Sequence, residues 1–448
     1  MSMLQNRFLR RLFALIVLAA LVTAAPGVAT IVLAAQDAPI ELRVFGPSSL
    51  DQLAPQAPEA DRQRIQQAVI DGFLAENPDV SGVVWDAQGP IEEATTRLMT
   101  AHLAGEAIDL IGCSANATNG TYIRRGVLRD ITADMGEFQD RIDPAALAAY
   151  TVGGKIYGVP ISTLSTSTFY YNVDVFEELG IAPPATYAEL QTAAQTLSDG
   201  GYIPILHQGK NPWMWPMWYF ETAAQTMTDP IAKTESNLRG ETKFTDPEDV
   251  QALAAIGRFV EDDILDGDSL TVDWDGMRAA FATQQSAIYY GGTWELPWLE
   301  ENVTDFTYGV FPFPKLEEAP GEPGHGGGPD NGICLYSGID EAHVPAAMKF
   351  IEYLTRPEVA SEYLATEAPI AVSIAGVPVA ETEVAQALRE TTYPATIRFL
   401  DWIWPTEIND AYQAAIQGVV GGTLTAEEGA AQVQQAYDDL VADGYTYP

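Results

Sequence analysis

Residues 153–190 read GGKIYGVPISTLSTSTFYYNVDVFEELGIAPPATYAEL, and the fold follows from how this stretch is parsed. The glycine pair Gly153-Gly154 marks a turn ahead of a strand. Residues 155–160 form that strand, and Pro160 ends its ladder because proline has no N–H to donate. A polar run of small residues occupies 162–168. A second strand follows at Phe169, Tyr170 and Tyr171, closed by Asn172. Asp174 opens a short amphipathic helix carrying Val175, Phe176 and Leu179, and Gly180 stops it. Pro183-Pro184 is a stiff spacer, and Thr186 with Glu189 three residues on is a capping box for the next helix. A strand leaving one unit, a small polar joint and an immediate new β-α unit describe two lobes hinged as a clamshell.

Upstream, residues 41–45 read as a first strand, and the loop Gly46-Pro47-Ser48-Ser49 lies at its C-terminal end, where open α/β sheets place ligands. A helix over 61–76 sets Ile65, Val69 and Phe73 on one face, and Asn77-Pro78 breaks it. A strand at 80–85, a helix at 91–104 and a strand at 108–111 complete a β-α-β-α-β order, which argues a parallel, doubly wound sheet. Downstream, a strand at 203–206 leads into HQGKNPWMWPMWYF (207–220), the densest aromatic cluster of the chain. Helices are expected near 217–228, 247–263 and 275–283. Residues 287–294, AIYYGGTW, then read as a strand returning to the first lobe through a glycine pair. The glycine-rich 324–332 segment reads as a loop before a strand at 333–336. Helices from 342 and over 425–442 close the chain.

GKIYGVP and YYNVDVFEELGIAPPATYAEL resemble the signature of extracellular solute-binding proteins of ABC importers, in the sugar-binding family related to maltose-binding protein. In that family a GK-x-YG-x-P strand crosses between lobes and a YN-x-[DE]-x-F-x-x-x-G-x-x-P-x-T-x-x-EL segment opens the second. AIYYGGTW resembles the family's second crossing, and AAMKFIEYLTRPEVASEYLA its closing helices. AIDL stands where the family usually has PDV. The resemblance implies an α/β, two-lobed periplasmic-binding-protein-like fold, each lobe a mostly parallel sheet flanked by helices, joined by a multi-segment hinge. The expected partition is 37–161 with 292–340 for the first lobe and 162–291 with 341–448 for the second. Hinges are expected near 160–163, 291–293 and 337–345.

The 448 residues exceed one typical core. Formal net charge is −39, from 62 acidic and 23 basic residues, and −42 without the three arginines of segment 1–36. Such a surface repels nucleic acid and anionic lipid. Segment 1–36 reads as an export signal or N-terminal anchor: Arg7, Arg10 and Arg11 form a basic start, and 12–22 an apolar stretch. Small residues allow cleavage after Ala29 or near Ala35, while 12–35 taken whole is long enough to span a bilayer. No cysteine follows for lipid attachment. The chain is thus expected outside the cell membrane, in the periplasm or on the extracellular face. Cys113 and Cys334 are the only cysteines. In an exported protein they form a disulfide or remain two buried thiols.

Sugars offer apolar C–H faces to flat aromatic rings and hydroxyl edges to carboxylates and amides. The tryptophans at predicted loop and hinge positions are the candidate ligand residues: Trp294 after the return strand, where the resemblance puts a stacking aromatic, Trp213 and Trp215 beside prolines, and Trp402 and Trp404 in DWIWP. Ser48, Asp86, Asn116, Asp330 and Glu295 are the polar candidates near cleft loops. No catalytic or metal residue and no cofactor are expected. His102, His207, His325 and His343 show no metal spacing, and no G-x-S-x-G elbow or G-x-x-x-x-G-K-[ST] phosphate loop occurs. The Tyr170–Tyr171 pair, a type used by iron carriers, reads as structural. The expectation is a monomer that captures a mono- or oligosaccharide, or a polyol, and delivers it to ABC permease subunits. The rivals are another solute on the same fold (a polyamine, peptide or glycerol phosphate) and an exported carbohydrate-active enzyme.

Overall fold

The computed structural model describes residues 39–46, 53–54, 57–87, 94–115, 121–317, 319–329 and 331–447. The expected export segment lies outside them. Among the described residues no helix is long and apolar enough to cross a membrane.

The chain is α/β and builds two large sheets. Strand β1 (Ile40–Gly46) runs parallel to β2 (Val80–Ala87) and to β3 (Leu110–Ser114). The helix Glu59–Glu76 connects β1 to β2 and buries Ile65, Val69, Ile70 and Phe73, the spacing that keeps one helix face on a sheet. Asn77 ends it, its side-chain amide donating to the Phe73 carbonyl at 2.8 Å. A small hairpin, β4 (Thr151–Val152) and β5 (Lys155–Ile156), turns on Gly153-Gly154 and leads to β6 (Gly158–Pro160). The chain then passes into the second sheet. That sheet contains β7 (Leu164–Asn172), β8 (Ile203–Ile205), β9 (Ser286–Gly292), β10 (Tyr308–Phe311) and β11 (His325–Pro329). Strand β12 (Asn331–Leu335) returns to the first sheet, whose order is β2-β1-β3-β12-β6. Strand β13 (Thr396–Arg398) completes the second, ordered β13-β11-β7-β9-β8, with β10 also paired to β7.

Local chemistry held where it was strongest. Thr186/Glu189 forms its capping box, Thr425/Glu428 forms another at the head of the last helix, and Gly180 ends the helix Val173–Leu179 with φ 67°. Long-range pairing overrode local reading at four places. The polar run 162–168 is a joint only at its first two residues. From Leu164 it is strand, buried between β9 and β11, with every hydroxyl placed: Ser165 donates to the Gly328 carbonyl at 3.0 Å, Thr168 to the Phe311 carbonyl at 3.2 Å, and Thr166 bonds Thr396 at 2.9 Å. The glycine-rich segment is strand β11 rather than loop. At Gly328, φ is 134° and an added Cβ would meet the Trp402 ring at 2.5 Å, so only glycine fits there.

The return to the first sheet comes at 329–331 rather than at 291–293, since β9, β10 and β11 all belong to the second sheet. The helices Val344–Leu354 and Pro357–Leu364 pack on the first sheet, against the expectation that 341 onward joins the second. Phe350 meets Phe73 with ring centroids 4.9 Å apart, both fully buried, and each such burial contributes on the order of 2–3 kcal/mol. Segment 337–345 therefore makes no crossing. A third crossing instead follows these helices, where 371–373 runs beside the first: Leu164 N–H donates to the Ala371 carbonyl at 2.9 Å and Ser373 Oγ to the Ser162 carbonyl at 2.6 Å. Cys113 of β3 and Cys334 of β12 form a disulfide, 221 residues apart in sequence. It ties the returning strand to the centre of the first sheet.

Candidate functional site

The parallel strands β8 and β9 are neighbours, Ile205 pairing with Ile288, and the turns that follow them in the chain carry the tryptophans. After β8, the residues Pro212–Met214 form a short 3-10 turn that leaves Trp213 half-buried. After β9, the turn Thr293–Glu295 does the same for Trp294. An added Cβ at Gly292 would sit 2.1 Å from the Trp294 ring, so the indole lies back over the strand end only because residue 292 is glycine. Trp213 stands 6.5 Å from Trp294 and 5.5 Å from Trp274, edge-on to the latter. Asn211 Oδ1 accepts the Trp274 backbone N–H at 3.0 Å, which joins the Trp213 turn to the head of the helix Trp274–Ala282. Trp294 Nε1 is buried with no hydrogen-bond partner among the described residues, and neither amide atom of the fully buried Gln208 has one.

Glu295 organises the edge of this aromatic floor. Its side chain is fully buried and accepts three hydrogen bonds: Trp274 Nε1 at 2.7 Å, Arg278 Nε at 2.9 Å and Tyr289 OH at 2.6 Å. The Arg278 guanidinium lies 4.4 Å from the Trp274 ring centre and 5.1 Å from that of Trp298, a cation held between two indoles. Burial raises the Glu295 carboxyl above the ordinary range against the pull of Arg278, Tyr289 and Trp274. Burial works to lower the guanidinium, but the facing carboxylate outweighs it and Arg278 is raised. Beyond Arg278 a groove of about 790 Å³ opens. Pro58, Ser361 and Thr366 line it from elements packed on the first sheet; Arg278, Trp298 and Glu300 line it from the second. A smaller cavity beside Lys233, of about 500 Å³, is lined from the second half of the molecule alone.

The expected site residues separate into three groups. Trp213 and Trp294 come together as a half-exposed pair. Trp215 and Trp404 are core: Trp215 Nε1 donates to the Gly209 carbonyl at 2.9 Å, and Trp404 stacks on Tyr412 at 4.1 Å. Trp402 is 5% exposed, set against Phe399 and Gly328. Glu295 faces inward, so it holds neighbours rather than ligand. Asp86 is exposed at the end of β2. Ser48, Asn116 and Asp330 lie outside the described residues. Tyr170 and Tyr171 point to opposite faces of β7. Tyr170 OH donates to the Gly292 carbonyl at 2.9 Å, while Tyr171 packs on Phe176, so their oxygens do not converge on a metal. Sequence reading missed Trp274, Arg278 and Trp298. The signal was present in part: Trp274 and Arg278 are four apart on one helix, the spacing at which side chains meet.

A family model described as bacterial extracellular solute-binding protein matches residues 68–377. A protein of Brucella abortus (strain 2308) named as a binding protein is 33% identical over 144 residues, which is 30% of this chain and 33% of that protein. A protein of Deinococcus radiodurans named "Probable ABC transporter-binding protein" is 32% identical over 124 residues, 25% of this chain and 27% of its own length. The alignments thus span a third or less of these curated relatives. Among solved structures, a chitin oligosaccharide binding protein superposes with TM-score 0.77 at 22% identity, covering 90% of this chain and 99% of the other. The SBP RafE in complex with raffinose superposes with TM-score 0.68 at 20% identity, covering 90% and 99%. At these identities the likeness is one of fold.

Proposed function

The chain belongs to the bacterial extracellular solute-binding proteins, and from that premise we propose that it captures a sugar or polyol between two lobes and hands it to an ABC permease. In this reading the first lobe is 39–161 with 331 to about 374, and the second is 163–329 with about 383–447. The observation that carries the reading is the pairing of the half-exposed Trp213 and Trp294, in the turns after β8 and β9, linked through Trp274 and Arg278 to a groove lined from both halves. Flat indoles suit the C–H face of a pyranose, and the buried, unpartnered Trp294 Nε1 and Gln208 amide suit its hydroxyls. Asp86, exposed at the end of β2, would supply a further polar contact, and Ser48, Asn116 and Asp330 are proposed alongside it from the sequence. A ligand touching both lobes favours the closed form only by the amount it binds that form better than the open one. The protein works as a monomer by retention and release, with no chemical turnover, after export directed by segment 1–36. Names of the similar proteins and structures, which concern ABC transport, chitin oligosaccharides and raffinose, support the same direction.

A second reading has its own observation. Glu300, Glu301 and Glu381 border the groove with Trp298, a combination of carboxylates and an aromatic face that suits an organic cation such as a polyamine. A thermal-shift screen against chitotriose, raffinose, stachyose, sorbitol and spermidine separates the two. A ligand at one hundred times its Kd stabilises the folded state by about 2.7 kcal/mol, well within detection. Under the sugar reading a saccharide raises Tm, and Trp294→Ala and Trp213→Ala abolish the shift without lowering the basal Tm by more than a few degrees. A shift with spermidine alone replaces the sugar reading by the cationic one.

A further inference from the structure

The strongest unassigned feature is the charged pair between the aromatic floor and the groove. Arg278 touches both: it is stacked on Trp274, and it lines the groove with Trp298. Its Nε is committed to Glu295, and its side chain is 15% exposed while that of Glu295 is 0%. Glu295 is the residue directly after Trp294, and the same carboxylate takes the Trp274 indole N–H. One buried group thus sets the position of a tryptophan, of a guanidinium and of the turn that presents a second tryptophan. A guanidinium held over two indoles, with Nε bonded to Glu295, has its remaining direction of donation restricted before a ligand arrives. Arginine suits this role because its donors form a rigid planar fork, whereas an ammonium rotates.

We propose that Arg278 is a ligand-recognition residue of the second lobe, donating to a hydroxyl or ring oxygen of the bound solute, and that Glu295 is its positioning residue. The pairing carries no net charge, so it suits a neutral, acceptor-rich ligand and leaves anions without special advantage. The assignment deepens the sugar reading and rests on it. Nothing about residue type alone marked Arg278, because a charged residue on an amphipathic helix reads as part of its solvated face.

The test is a calorimetric double-mutant cycle with raffinose and chitotriose as probes, run on the wild type, Arg278→Ala, Arg278→Lys, Glu295→Gln and the Glu295→Gln/Arg278→Ala double variant. Near-ultraviolet circular dichroism of each protein without sugar is recorded alongside. Loss of a charge-assisted hydrogen bond should weaken binding roughly tenfold or more in Arg278→Ala. Arg278→Lys should recover little of it, because the ammonium cannot lie as a planar fork between the indoles. Glu295→Gln should weaken binding too and alter the tryptophan bands, and in the double variant the two losses should sum to clearly less than additive, since part of its effect passes through Arg278. Unchanged affinity in Arg278→Ala, or additive losses in the double variant, overturns the assignment. If neither sugar binds the wild type, the sugar reading fails. The positioning role is then decided by the dichroism, where tryptophan bands in Glu295→Gln identical to wild type overturn it.

Discussion

Tyr289 and Tyr290 are neighbours on β9 and so point to opposite faces of the second sheet, and each donates to a fully buried glutamate. On one face Glu221, from the helix Trp215–Thr226, accepts Tyr290 OH at 3.2 Å, meets His325 Nδ1 at 3.1 Å and accepts the Ser167 hydroxyl. On the other, Glu295 accepts Tyr289, Trp274 and Arg278. The two carboxylates are equally inaccessible, but their partners are not. Everything around Glu221 is interior, and the network fastens one helix to β7, β9 and β11. Two of the three partners of Glu295, Trp274 and Arg278, are half-buried, and Arg278 lines the groove. A buried carboxylate thus says little about function until the exposure of what it holds is known.

The largest test of this contrast is to remove both partners of the comparison in turn. Glu221→Ala strands His325 and two hydroxyls in the interior and should cost about 3–5 kcal/mol in urea unfolding, with the solute affinity of the folded protein unchanged. A loss of affinity larger than the loss of stability would erase the distinction between the two faces. The same contrast holds among tryptophans. Trp215→Ala should lower stability by about 3–5 kcal/mol, while Trp213→Ala, two residues away, should mainly lower affinity.

The interior also sets how the protein answers to pH, and the next two effects are smaller and opposite. His207 is wholly buried against Trp215 and Trp218, and burial lowers its imidazole to about 3. Because the unfolded ring titrates near its ordinary 6.5, this group contributes stability that is complete above that value and is lost as pH falls. Between pH 7 and 5 the loss is about 2 kcal/mol, and His207→Phe should flatten it. Asp249 is raised to about 6, first by burial, so its ionisation in the folded state is costly and stability falls as pH rises from the unfolded value toward 6. From pH 5 to 7 that amounts to about 1 kcal/mol. Asp249→Asn keeps an acceptor for Tyr219 and Asn237 and should show no such decline when Tm is followed across the same range. A wild-type acid limb unaltered by His207→Phe would show that the interior around β8 admits the charged ring.

Legibility in the sequence tracked the distance over which each feature is decided. Capping boxes, the helix stop at Gly180 and the face of the helix Glu59–Glu76 depend on neighbours within a turn or two, and they could be read directly. The passage from β6 to the second sheet is set locally, by Pro160 and the small residues after it. The second crossing was misplaced because AIYYGGTW and GHGGGP are both glycine-bearing strands of the second sheet, and only their common pairing around β7 shows which one precedes the return. Of the five tryptophans read as candidates, Trp213 and Trp294 emerged at the floor, Trp402 is almost covered, and Trp215 and Trp404 went to the core. Proline neighbours marked the turn but not which side of it faces inward.

By itself, then, the order of residues determined an α/β chain in two parts, acidic beyond its basic first segment, with a crossing strand at 155–160 and a tryptophan-rich second part. The tertiary structure alone decided that Glu295 looks inward while Arg278 reaches the groove, that Cys113 and Cys334 are joined, and that 344–364 completes the first sheet's core. Hydrogen-bonding periodicity and turn chemistry act between near neighbours and are written in local sequence. The exposure of a side chain depends on what distant segment covers it, and no local pattern carries that information.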